Sequence, residues 1–161
     1  PEAPRIWEAI EAIVGGKLPP AGSTLGENTT VCEYCKRTRT EKKIKEFKRT
    51  WEVIPDETTC LLEQGLICAG IATRAGCGCL CPQVNSPCIG CYGPNDGVED
   101  YGARLLSALA SVIDSDDPEE IQAIVEKGLP DPIGQLYRFS LASSPLRRKN
   151  KRPAGGNGSA N

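Results

Sequence analysis

Nine cysteines are the residues best equipped for chemistry in this sequence, and seven of them fall in one stretch from Cys60 to Cys91. They stand at Cys60, Cys68, Cys77, Cys79, Cys81, Cys88 and Cys91, with Cys32 and Cys35 forming a C-x-x-C pair upstream. A tight turn across a C-x-x-C pair brings both sulfurs to one side, where they can share a metal or a cluster. Cys88 and Cys91 form a second such pair. Two pairs with further cysteines between them suggest two sites of four thiolates each.

The nine cysteines admit three readings. Disulfides suit a small secreted scaffold, but an odd cysteine count and two C-x-x-C pairs argue against them. Structural zinc takes four cysteines per ion. Iron–sulfur clusters take the same number, so spacing alone leaves zinc and iron both open. Histidine is absent, which excludes a Ser-His-Asp triad, a Cys-His pair and any histidine-ligated zinc or haem. Methionine is absent as well, even at position 1, and we read the sequence as processed or as a piece of a longer product.

The elements that must position these thiols are short. Leu, Ile, Val and Phe make up only about a fifth of the 161 residues, against 17 glycines and 13 prolines. So thin a core needs staples or a partner surface to hold one structure. The pattern divides the chain into an N-terminal helix and connection (1–31), a cysteine region (32–95), a helical part (96–144) and a tail expected to be disordered (145–161). Pro4 to Val14 is predicted helical, with Ile6, Ile10, Ile13 and Val14 on one stripe and Gly15-Gly16 ending it. Residues 17–31 are predicted irregular. Cys60 to Leu66 should make a helical turn ending at Gly65, and 70–93 should wrap in loops. Loops leave backbone N–H groups free to point at sulfur, which tunes reduction potential. Further helices are predicted over 98–113 and from Pro118 to Gly128, capped by Asp116 or Asp117. Pro130-Asp131-Pro132 should force an extended turn, and alternating Tyr137, Phe139 and Leu141 suggest a short strand or a segment lying on a partner.

Lys36 to Arg49 holds eight basic residues against Glu41 and Glu46. Either this is a solvated surface, or Lys42, Lys43, Lys45 and Lys48 help dock an acidic redox partner beside whatever Cys32 and Cys35 bind. Nucleic-acid binding does not fit, since the formal net charge is −2 and aromatics are few. No run of 18 or more apolar residues occurs, so no membrane span is predicted. Phosphate-cradling and dinucleotide glycine motifs are missing too.

The string CLLEQGLICAGIATRAGCG, followed by Cys81-Pro82 and CIGCYGP, resembles the small subunit of [NiFe]-hydrogenases. It is most similar to the cytoplasmic types, the small subunits of F420-nonreducing hydrogenases and the delta subunits of sulfhydrogenases. The resemblance runs from about Pro1 to Arg148 and covers only the C-terminal half of that family.

Several expectations follow from it. The fold should be mostly α with irregular loops: the cluster-binding C-terminal domain, without the flavodoxin-like N-terminal domain that carries the proximal cluster. The distal [4Fe–4S] cluster falls to Cys32, Cys35, Cys60 and Cys68, the all-cysteine variant of a site that often has histidine where Cys32 stands. The medial cluster falls to Cys77, Cys81, Cys88 and Cys91, where a fourth cysteine at Cys81 implies [4Fe–4S] rather than [3Fe–4S]. Cys79 departs from the family and reads as a spare buried thiol; the alternative is that it replaces Cys81 as ligand, although Cys81-Pro82 better resembles the family's Cys-Pro step. The implied role is electron relay, with no hydrogen chemistry in this chain. The nickel–iron site belongs to the large subunit, and an iron–sulfur or flavin subunit accepts the electrons in the cytoplasm. The rival readings are a structural zinc-binding interaction module and the iron–sulfur subunit of another oxidoreductase complex.

Overall fold

The computed structural model describes residues 2–40 and 44–146. Lys42 and Lys43, and the residues from Arg147 onward, lie outside this range.

Helix α1, Ala3–Val14, begins with proline in its first turn, where a missing N–H costs nothing. Gly15 ends it, and its amide donates to Glu11 O at 2.9 Å. Its apolar stripe is not covered: none of its residues is buried, and Val14 is 82% exposed. What holds it is the Glu2 amide on Gly76 O at 3.1 Å and an ion pair between Arg5 and Glu27.

The connection after α1 is less irregular than its composition suggests. Strand β1, Glu27–Thr30, pairs antiparallel with β2, Arg74–Ala75, through a register shift between Glu27 and Thr30. Helix α2, Val31–Tyr34, follows at once, and the Val31 amide donates to Thr73 O at 2.9 Å. This small two-stranded pairing lays the first C-x-x-C pair beside the 68–77 segment. A parallel bridge between Thr38 and Thr59 then adds Cys60, whose amide donates to Thr38 O at 2.9 Å. A 3-10 turn at Ala69–Ile71 follows Cys68, and the four-residue α3, Leu80–Gln83, contains Cys81.

The predicted 98–113 helix is shorter. Helix α4 spans Tyr101–Ala110, because the Asp100 carboxylate caps it by accepting from the Ala103 amide at 3.1 Å. Val112 and Ile113 leave the helix instead, and Ile113 bridges Ile44, whose amide donates to Val112 O at 3.0 Å and whose carbonyl accepts from the Asp114 amide at 2.9 Å. Helix α5, Pro118–Gly128, starts at an Asp117 cap, with Glu119 and Glu120 in its first turn and Lys127 in its last. Those charges complement the helix dipole.

Two C-terminal expectations change. Pro130 to Pro132 does not run extended: the Asp131 carboxylate accepts from Gly134 N at 2.9 Å, and Pro132 opens helix α6, Pro132–Leu136. Tyr137 to Leu141 is no strand either, because the amides of Ser140 and Leu141 both turn back to Tyr137 O. Tyr137 is buried, whereas Phe139 and Leu141 face outward. The main core gathers Ile44, Leu62, Ala69, Ala72, Tyr101, Leu105, Leu109, Val112, Leu129, Leu136 and Tyr137. It therefore packs α4 against the edge of the cysteine region.

Candidate metal centre

Cys32, Cys35, Cys60 and Cys68 line one small cavity, reached from three separate segments of chain. The rest of its wall is Val31, Arg37, Arg39, Leu61, Gly70 and Pro82, with no carboxylate. Gly70 marks how close the sulfurs come. A Cβ placed there would stand 3.6 Å from the Sγ atoms of both Cys32 and Cys68. Soft thiolates without hard oxygen donors suit zinc or iron–sulfur clusters rather than magnesium or calcium. Among the described residues, no three His, Cys, Asp or Glu side chains converge as they would on a single ion. Nor does a disulfide link any of the nine cysteines there.

Free backbone amides do reach sulfur. The Cys88 N–H donates to Cys68 Sγ at 3.3 Å, and the Gly70 amide bonds the same atom. Burial nevertheless dominates at Cys68 and pushes its thiol up to about 12. Desolvation also raises Cys88, opposed by the Gly90 amide and the Thr73 hydroxyl. Burial comes first again at Cys79, with Cys35 next, and holds it up at about 12.

The second set of four is placed differently. Cys77 and Cys81 are the thiols that act on Cys88, while Cys91 is exposed and neighbours Tyr101. Cys79 is only 3% exposed and packs with Val31, Cys35, Cys68, Cys77 and Cys88, between the two sets. It caps α3 in the left-handed region, at φ 54°.

The basic run divides. Lys45 is exposed. Lys48 pairs with Glu46 at 3.5 Å and lines a cleft with Arg49, Trp51, Arg138 and Cys88. It stands beside Cys88 of the second cysteine set, with Ile67 and Ala69, which flank Cys68 of the first, in the same wall. Arg37 and Arg39 line the first cavity itself.

With that geometry in place, the comparisons with known proteins are specific. No protein-family model matches the chain. It is 40% identical over 154 residues to the F420-non-reducing hydrogenase iron-sulfur G subunit of Archaeoglobus profundus, covering 92% of this chain and 47% of that protein. It is 38% identical over 152 residues to the F420-non-reducing hydrogenase vhu G subunit of Methanocaldococcus jannaschii, covering 94% of this chain and 48% of the relative. With the F420-non-reducing hydrogenase G subunit of Methanothermus fervidus it shares 42% identity over 106 residues, which cover 63% of this chain and 83% of that one. The chain belongs to the family of F420-non-reducing hydrogenase G subunits. It spans about half the length of the first two relatives.

Two features that the residue pattern did not single out lie close to the cysteines. Thr73, 1% exposed, sits 2.6 Å from Ala69 O and 2.8 Å from the Tyr101 hydroxyl, with Cys88 also in reach. Having one proton, Thr73 can serve either the carbonyl or the sulfur, while Tyr101 donates to it. The other is Arg37, read in the sequence as one of eight surface cations but only 8% exposed. A sequence signal existed for neither, since each is defined by partners distant along the chain.

Proposed function

We propose that this chain is the electron-relaying part of a [NiFe]-hydrogenase small subunit, corresponding to its cluster-binding domain. One [4Fe–4S] cluster is assigned to Cys32, Cys35, Cys60 and Cys68, and a second to Cys77, Cys81, Cys88 and Cys91. The observation that carries this reading is the cavity lined by the first four cysteines and by no carboxylate. The name of the Archaeoglobus profundus relative, an iron-sulfur subunit, supports the same chemistry.

When bound, such clusters supply one-electron transfer at potentials set by charge, hydrogen bonds to sulfur and exposure. The chain's own residues set those conditions. Val31 and Leu61, at most 2% exposed, form the apolar part of the wall around the first set. The amides of Cys88 and Gly70 donate to Cys68 Sγ, which stabilises its thiolate. Cys68 and Cys88 are tied by that bond, so the two sets share a wall. Electrons pass, in this reading, between a large subunit holding the nickel–iron site and an iron–sulfur or flavin acceptor subunit. Lys48 and Arg49, beside Cys88, offer a cationic docking edge to one of these partners.

The test is anaerobic purification with native partners, with quantification of iron, zinc and acid-labile sulfide and EPR of the reduced sample. About eight irons assignable to this chain, with interacting [4Fe–4S]⁺ signals, is the expected result. Nickel in a co-purifying subunit completes it. About two zincs and no labile sulfide would overturn the redox reading in favour of a zinc-stapled module.

A further inference from the structure

The least expected charge in the molecule is the Arg37 guanidinium, buried two residues after Cys35. A guanidinium has five N–H donors. All five are used: Nε and Nη2 donate to Pro82 O at 3.1 Å each, and Nη2 also to Asn85 Oδ1 at 2.7 Å. Nη1 donates to Asp56 O at 2.7 Å and to Thr59 O at 3.0 Å. Every acceptor is neutral. The hydrogen bonds are complete, but the positive charge has no counter-charge among them. A buried charge left in that state is strongly unfavourable, so something anionic must lie close. Among the described residues neither nearby carboxylate forms an ion pair with it: Asp56 Oδ1 accepts from the amides of Thr58 and Thr59, and Glu57 shares a second cavity wall with Arg37 without pairing to it. The groups in this cavity that become anionic on ligating a cluster are the thiols, since Arg37 lines the same wall as Cys32, Cys35, Cys60 and Cys68.

The acceptors are also arranged informatively. Thr59 immediately precedes Cys60, and Pro82 immediately follows Cys81. One side chain therefore fixes backbone next to a ligand of each proposed set. We propose that Arg37 is the built-in counter-charge of the first cysteine site and the brace that holds it against the second. This rests on the iron–sulfur reading above. Lysine is a poor substitute, since a three-donor point charge cannot span the five bonds of the planar fork.

The test compares Arg37→Gln and Arg37→Lys in the full chain with its native partners, by iron and sulfide content, chelator release and EPR-monitored redox titration. Arg37→Gln should lower the reduction potential of one cluster while iron per chain stays near the parent value. Arg37→Lys should titrate close to the parent at neutral pH and lose iron to chelator several-fold faster. Its potential should also fall relative to the parent as pH rises and the lysine loses its proton, which arginine does not do. If Arg37→Gln assembles too little cluster to titrate, that pH dependence decides the matter. Faster iron release in both variants, with potentials and their pH profiles unmoved, would reduce Arg37 to a loop brace and overturn the counter-charge. Parent protein without labile sulfide would refute the iron–sulfur reading itself, whatever the variants do.

Discussion

At the scale of single residues, cysteine identity should decide metal content. On the proposed two-cluster assignment, Cys60→Ser removes a thiolate from the carboxylate-free cavity and should cost about four of eight irons, leaving the other cluster's EPR signal. Cys79→Ala should keep all eight, because Cys79 is assigned no cluster although it is buried among ligands of both sets. Iron and sulfide analysis of the two variants side by side checks the assignment, and iron loss in the Cys79 variant would make Cys79 a ligand. Asp56 supplies a pH prediction in the same stretch. The amides of Thr59 and Thr58 hold its carboxyl down at about 2, below the ~3.9 of an unfolded aspartate. A lowered pKa means that the turn it clamps is stabilised above about pH 4, and that this is lost as pH falls through about 2. Because the turn leads into Cys60, Asp56→Ala should release iron to chelator faster than the parent at pH 7. The gap should stay constant down to about pH 4.5 and close only below that. Stopped-flow bleaching measures it, and a gap closing near pH 6 would contradict the clamp.

At the scale of elements, what could be read in advance depended on length and period. Helices α1 and α5 carry a proline in the first turn, an apolar stripe and a terminal glycine, and each lies within a residue or so of its predicted span. The β1–β2 pair could not be read, because Glu27–Thr30 shows no alternation and its partner is two residues long, 44 positions or more away. Helices α2 and α3 are single turns inside the cysteine loops, too short for any periodic signal. The cysteine spacing pointed to four-thiol sites, but the burial of Arg37 among seven other cations was hidden. Its acceptors lie 19 to 48 residues on, so only the folded chain selects it. The α4–α6 contact has a similar origin. Asp100, which caps α4, also accepts from the Tyr137 hydroxyl at 3.2 Å, and the Tyr137 ring lies where a Gly102 side chain would be. Gly102→Ala is normally favourable in a helix, by about 1 kcal/mol. Here the methyl would meet the ring, and overpacking should turn that gain into a loss of about 1–3 kcal/mol. Denaturant unfolding of the cluster-loaded protein tests the sign, and a stabilised variant would show that Tyr137 moves aside freely.

At the scale of the whole molecule, two kinds of interior meet along one wall. Around α4 the interior is ordinary and apolar, with Leu105 and Leu109 fully buried. Around Val31 it is made largely of sulfur: Cys79 and Cys88 are buried beside it, with Cys35, Cys68 and Cys77 packed on. The elements there are too short to be stable alone, so their order should depend on what the thiolates bind. Bound metal that is absent from the unfolded chain stabilises by linkage, and its removal should loosen the part that holds it first. Stripping iron with an oxidant and chelator should therefore expose the amides of Val31, Cys60 and Ala69, which now donate to Thr73, Thr38 and Cys88 carbonyls. Amides in Leu105–Leu109 should stay protected, because the leucines they carry pack against Leu129, Leu136 and Tyr137 as well as against the cysteine region. Hydrogen exchange before and after stripping measures this directly. Equal loss at both places would mean that Tyr101, through Thr73 and Ala69, couples the two interiors into one cooperative unit. Unchanged protection at Val31 and Cys60 would mean that the sulfur-lined part folds without its metal, contrary to what its short elements imply.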